Sequence, residues 1–168
     1  MLPFRGADGK PLQHQQDDKG TTMKLTKQGI FDVVLTHLFD QGEPSTATDA
    51  PAGCFYRGNV QGRPLMCAVG ALIPDDQYLP EMEMNSVEQL LGVNKFAHLP
   101  IMTEFSRHTE LLRMIQEAHD DCFLPMEHER GDNRAMMGRW LHQMRVIAGE
   151  YRLNPSIIDA LCIPDLRD

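Results

Sequence analysis

Apolar residues recur at three- and four-residue intervals through Ile30, Phe31, Val34, Leu35, Leu38 and Phe39, the spacing of one buried stripe on a helix. Thr26 precedes the stripe as an N-cap whose hydroxyl can accept from an amide of the first turn, and Gly42 follows it as a stop that tolerates positive φ. A helix is predicted between them. Glu43 to Gly53, rich in Pro, Ser, Thr, Asp and Ala, reads as a loop, because these side chains compete for local backbone hydrogen bonds. Cys54-Phe55-Tyr56-Arg57 and Arg63-Pro64-Leu65-Met66-Cys67 then flank the glycine-bracketed turn Gly58-Asn59-Val60-Gln61-Gly62, which predicts a small antiparallel hairpin. Pro64 has no amide to donate and belongs on an outward edge. The small, apolar stretch Ala68 to Ile73 ends at Pro74-Asp75-Asp76 and predicts one or two helical turns under the hairpin, with Gly70 permitting close approach.

Ser86 and Gln89 form a capping-box pattern ahead of a short helix ending near Gly92. Thr103 opens a longer helix, its stripe running through Phe105, His108, Leu111, Leu112, Ile115, Ala118, His119 and Cys122 to a break at Pro125. Beyond the charged loop Pro125 to Gly131, Asp132 caps a long helix with Met136, Met137, Trp140, Leu141, Met144, Ile147, Ala148 and Tyr151 on one face. Asn154-Pro155 supplies the cap and first position of a last short helix carrying Ile157, Ile158 and Leu161. The pattern predicts a mainly α-helical α+β fold with three main helices, several short ones and one small β-hairpin. Residues 23–168 form a single compact domain in this reading, and residues 1–22, which lack an apolar period, form a flexible N-terminal arm.

At 168 residues the chain is long enough to build its own core without staples. With 16 Lys plus Arg against 24 Asp plus Glu, the net charge of −8 repels phosphate backbones and disfavours direct nucleic-acid binding. No apolar run reaches the ~18 residues of a membrane span, and no signal pattern opens the chain, so a cytoplasmic protein without membrane contact is expected. The four cysteines are too scattered for a secreted disulfide scaffold. The sequence contains no glycine-rich phosphate loop after a strand, no His-Glu-x-x-His and no Gly-x-Ser-x-Gly elbow.

Candidate chemistry falls on thiols, imidazoles and carboxylates. Opposed strands centred near Val60 would bring Cys54 and Cys67 together. His119 and Cys122, three apart, share a helix face, so these four residues are a possible zinc site, although most free cysteines are small core residues. A helix beginning at Cys67 would lower its thiol pKa, with His119 as base, which makes a cysteine-dependent hydrolase or transferase a second candidate. Asp120, about 100° around the helix, would not readily reach the His119 ring. Asp120 and Asp121 at a helix C-terminus call for compensation, and Arg57 is a candidate partner. Trp140 reads as core, and Arg130, Arg134, Arg139 and Arg145 as a solvated face. Between Asp75 and Leu91 lie five acids, Asp75, Asp76, Glu81, Glu83 and Glu88, and no base. Met82 and Met84 alternate with Glu81 and Glu83 in that stretch, adaptable side chains beside charge.

Cys54-Phe55-Tyr56-Arg57, Cys67-Ala68-Val69-Gly70-Ala71-Leu72-Ile73-Pro74-Asp75 and Gln116-x-x-His119-Asp120 together resemble an uncharacterised family of small bacterial, prophage and phage proteins. The resemblance spans about Met23 to Leu153 and carries no catalytic or binding residue over. It implies a phage or mobile-element setting, in which small proteins often bind host proteins, inhibitors of host defence such as anti-CRISPR proteins among them. The leading expectation is thus a non-enzymatic interaction protein that presents the acidic surface Asp75, Asp76, Glu81, Glu83 and Glu88 to a host protein. No cofactor is expected in that reading. The Cys67/His119 enzyme and a zinc-stabilised binding module are the alternatives.

Overall fold

A computed structural model describes residues 24–45, 55–123 and 133–161. The predicted arm 1–22, the 43–53 loop from residue 46 onward, Cys54, the 125–131 loop and the Asp132 cap lie outside the described residues. The fold is mainly helical α+β: α1 (Lys27–Gln41), β1 (Gly58–Val60), β2 (Arg63–Leu65), α2 (Val87–Gly92), α3 (Pro100–Arg107), α4 (Thr109–Phe123), α5 (Asn133–Tyr151) and α6 (Ser156–Leu161). Short 3₁₀ turns at Gly70–Leu72, Asp75–Gln77, Pro80–Met82 and Asn94–Phe96 fill the middle of the chain.

The capping residues determine where α1 starts and stops. The Thr26 hydroxyl accepts from the Gly29 amide at 3.0 Å, and Gly42, at φ 70°, donates its amide to Leu38 O. Ile30, Phe31, Val34, Leu35 and Leu38 are buried along one face, against the 70–72 turn and α6. A reciprocal amide clasp joins the two ends of the described chain. Asn154 N–H donates to Gln28 Oε1 at 2.8 Å, Gln28 Nε2 donates to Asn154 O at 3.2 Å, and Lys27 lies 4.9 Å over the Tyr151 ring. The Asn154 side chain accepts from the Ser156 amide, as its capping role requires.

The hairpin is tighter than its glycines suggest. The turn is only Gln61-Gly62, both at positive φ (53° and 83°), and Asn59 Oδ1 accepts the Gly62 amide. Gly58 pairs with Leu65, Asn59 with Pro64 and Val60 with Arg63, so the ribbon folds about the Gln61-Gly62 bond instead of about Val60. Pro64 is exposed, as an outward edge demands. Cys67 N donates to Phe55 O at 3.2 Å just beyond the ladder.

The expected single helix from Thr103 to Cys122 is two helices. Pro100 takes the first-turn position of α3, which begins three residues earlier than its stripe indicates, and His108 leaves helical geometry at φ −129°, ψ 18°. The break serves a tertiary contact. Glu104, 2% exposed, accepts the Leu25 amide at 2.8 Å while His108 Nε2 donates to Leu25 O at 3.0 Å, so Leu25, two residues ahead of α1, is held by both its backbone groups. Arg107 pairs with the other oxygen of Glu104. Beyond the break, Leu111, Leu112, Ile115, Ala118 and Cys122 of α4 join Met136, Trp140, Leu141, Met144 and Ile147 of α5 in one continuous buried cluster. No helix among the described residues is long and apolar enough to cross a membrane.

Two glycines give opposite predictions. A Cβ on Gly70 would lie 2.9 Å from Tyr56 Cα and overlap the Tyr56 carbonyl, so Gly70→Ala should cost about 3 kcal/mol in chemical denaturation. Gly138 is exposed within α5 with open space around it, and Gly138→Ala should stabilise by up to about 1 kcal/mol.

The base of the hairpin carries a pH response. Gln41 Nε2 donates to Met66 O at 3.0 Å and Met66 N donates to Gln41 Oε1 at 2.9 Å, which fixes the end of α1 to the strand exit. Burial there holds the neighbouring His37 imidazole below its ordinary pKa, against the opposing pull of the Met66 backbone and the Gln41 side chain. The unfolded chain therefore binds a proton near pH 6.5 that the folded ring refuses. This contribution to stability is intact above that pH and is lost as the pH falls toward the folded value. Melting temperatures of wild type and His37→Gln, compared at pH 7.5 and 5.5, should show a smaller acid-induced drop in the variant.

Candidate functional site

A half-open cleft of about 290 Å³ lies between the segment entering α2 and one side of α4. Its floor is Tyr56 and Cys67, each 3% exposed. Met84, Asn85, Ser86 and Glu88 form one wall. Arg113, Gln116, Glu117 and Asp120 form the other. These last four fall at i, i+3, i+4 and i+7, a polar stripe beside the apolar stripe of the same helix.

Hydrogen bonds hold the cleft open. Tyr56 O–H donates to Asn85 O at 2.7 Å, and Gln116 Oε1 accepts the first amide of α2, from Val87, at 3.1 Å. Ser86 and Gln89 complete the predicted capping box. Asn85 Nδ2 donates to the carbonyls of Glu81, Met82 and Glu83, turning the chain so that Met84 sits at φ 63° on the lip, the residue 67% exposed. An exposed thioether beside a polar cleft offers an adaptable apolar contact.

The five acids of the 75–91 stretch do not share one surface role. Asp75 pairs with Arg57 at 3.1 Å, Glu81 pairs with Lys95, and Glu88 lies 3.8 Å from Arg113. Lys95 holds the Glu81 carboxyl below its usual range. Glu83 turns inward, accepting the Tyr56 and Arg57 amides at 2.9 Å each and the Tyr78 hydroxyl at 2.8 Å. Expected as an exposed binding residue, it instead satisfies backbone donors that have no ladder partner. Asp76 is exposed on its turn. Of the five, only Glu88 lines the cleft.

Arg57 compensates neither Asp120 nor Asp121. Its guanidinium donates to Gly70 O and Ile73 O at 2.6 Å each, to Tyr56 O at 3.2 Å and to Asp75, and lies 5.1 Å over the Tyr78 ring. Asp120 is met by His119: the two side chains approach at 3.1 Å (Nδ1 to Oδ1), although they are sequence neighbours. An ionised carboxylate only accepts, so Nδ1 carries the proton. The ring itself is 1% exposed and meets Trp140 edge-on, with centroids 6.1 Å apart. Trp140 is fully buried, as its stripe indicates.

This geometry places Cys67 and Asp120 in the cleft and His119 behind it. A nucleophilic thiol needs the reverse order, with imidazole facing sulfur and carboxylate behind. Burial pushes the Cys67 thiol up to about 12, with the Asp120 charge adding to the effect, and these outweigh the Gly70 amide that donates to Sγ at 3.3 Å. The lowering expected from a helix start is thereby reversed. Burial also raises the Cys122 thiol. Among the described residues no three His, Cys, Asp or Glu side chains converge on a point that could hold a metal ion. The proposed zinc ligands Cys67, His119 and Cys122 thus form no cluster of their own, and Cys54 lies outside the described residues.

No family model, curated protein or solved structure matches the chain.

Cys67 should label with iodoacetamide at pH 7.5 at least about 100-fold more slowly in the native protein than after denaturation, read by peptide mass spectrometry. Native labelling as fast as in denaturant would return the thiol to candidate catalysis.

Proposed function

We propose that this protein is a non-enzymatic interaction protein that binds a partner protein through an acidic surface centred on the cleft. Among the described residues the cleft walls carry Glu88, Glu117 and Asp120 against the single base Arg113, and that base is already engaged by Glu110 and Glu117. This excess of carboxylate around a recess is the observation that carries the reading, because it complements a basic surface and steers one toward it. Two features support recognition over catalysis: a floor thiol kept protonated by burial, and a Met84 lip suited to adaptable contact. Resemblance to bacterial, prophage and phage proteins supports a host protein as the partner, with inhibition of host defence as the corresponding role.

The surface proposed is narrower than the stretch of acids in the sequence. Asp75 and Glu81 each have a base of their own and Glu83 turns inward, whereas Glu88, Glu110 and Glu117 share Arg113 and stand beside Asp120. Charge density at the cleft is therefore a tertiary property.

Immobilised wild type, the cleft variant Glu88→Lys/Glu117→Lys and the control Glu150→Lys, outside the cleft lining, should be compared on bacterial lysate, and the captured protein then purified for affinity measurement. Glu88 and Glu117 side chains are 44% and 59% exposed, so both replacements should fold, which circular dichroism checks. Expected is a salt-weakened interaction that loses about tenfold or more in the cleft variant and is unchanged in the control. Equal affinity of wild type and the cleft variant overturns the reading.

A further inference from the structure

The cleft volume, about 290 Å³, lies at the lower edge of the roughly 300–1,000 Å³ typical of small-molecule pockets. It has room for one long side chain and not for a secondary-structure element. Its lining is ordered by polarity: Tyr56 and Cys67 form a buried floor, Met84 covers one lip, and Glu88, Glu117 and Asp120 supply negative charge. A ligand matching that order has an apolar stem and a cationic head. Resting on the interaction reading above and deepening it, we infer that the cleft is a socket for one arginine side chain of the partner.

The chemistry of the lining selects arginine over lysine. The Asp120 carboxylate accepts from the buried His119 ring, which packs edge-on against Trp140, so one of its oxygens is oriented before any ligand arrives. A planar guanidinium meets such a carboxylate through two parallel N–H donors, whereas an ammonium meets it as a point charge. Guanidinium is also the less strongly hydrated cation, so its transfer from water into a recess floored by buried residues costs less. The chain already solves this problem once: Arg57 lies over the Tyr78 ring while paired with Asp75 and backbone carbonyls. A second guanidinium, that of Arg113, is held at the rim between Glu110 and Glu117. The partner's arginine takes the remaining place, its head at Asp120 and its stem along Met84.

The test is a titration of the ¹⁵N-labelled full chain with Nα-acetyl-arginine methylamide, followed by amide chemical shifts, alongside the lysine and citrulline counterparts. Citrulline keeps the shape and loses the charge. Expected are saturable shifts confined to amides around Tyr56, Asn85, Gln116 and Asp120, affinity about fivefold or more weaker for lysine, and no site-specific response to citrulline. Asp120→Asn should weaken arginine binding about tenfold, with Glu117→Gln as a second variant should the first disturb the His119 contact. Absent or dispersed shifts, or citrulline or lysine binding equal to arginine, overturns the socket. If the Glu88→Lys/Glu117→Lys variant loses the partner while the arginine titration is silent, the socket falls and the interaction surface stands. Saturable arginine binding with undiminished partner affinity in that variant overturns the interaction surface instead.

Discussion

Between the hairpin and α2 the chain forms only short 3₁₀ turns, and two charged side chains do the work that a ladder would otherwise do. Arg57 gathers the carbonyls of Tyr56, Gly70 and Ile73 and then reaches Asp75. Glu83 gathers the amides of Tyr56 and Arg57 from the other side, together with the Tyr78 hydroxyl. Each charge-assisted bond contributes about 1.5–3 kcal/mol, and removal of either side chain would also leave backbone groups without partners. The two charges do not pair with each other. One supplies donors and the other acceptors to the same short stretch of main chain, so Tyr56 is held on both faces with Gly70 pressed against its backbone. The floor of the cleft depends on this arrangement.

The walls have separate origins. Gln116 of α4 caps the first amide of α2, which fixes the two helices at the distance that leaves the cleft open. The α3–α4 break at His108 lets α4 take its own direction while Glu104 and His108 hold Leu25. Dense local pairing then distributes the net charge of −8 unevenly. Arg57, Lys95 and Arg113 draw carboxylates into pairs, and the acids around Asp120 retain an excess at one recess. An exposed surface pair adds little stability, about 0–1 kcal/mol, but such pairs decide which carboxylates stay uncompensated at the surface.

Much of the helical architecture is legible in the chain. Thr26, Gly42 and the Ser86/Gln89 box mark helix ends through contacts within one turn, and the stripes of α1, α4 and α5 give their buried faces. Gly70 is recognisable as a close-approach residue. The α3–α4 break is not, because His108 continues the apolar period and leaves the helix only to bond Leu25, 83 residues away. Hairpin register is also hidden: several glycines offer alternative turns, and only the pairing of Gly58 with Leu65 selects Gln61-Gly62.

For the site, the helical spacing of Arg113, Gln116, Glu117 and Asp120 is a sequence signal for one polar wall. What faces that wall is not readable along the chain. Glu81, Glu83 and Glu88 look alike in sequence, yet one pairs with Lys95, one turns inward to two amides and one faces the cleft. Cys67 and His119 invite a catalytic reading until burial and ring direction are known. Local hydrogen bonding and periodic burial act over a few residues, so the sequence by itself determined caps, stripes and fold class. Charge pairing, desolvation and the direction of a buried ring depend on residues brought together from distant positions, and those only the tertiary structure decided.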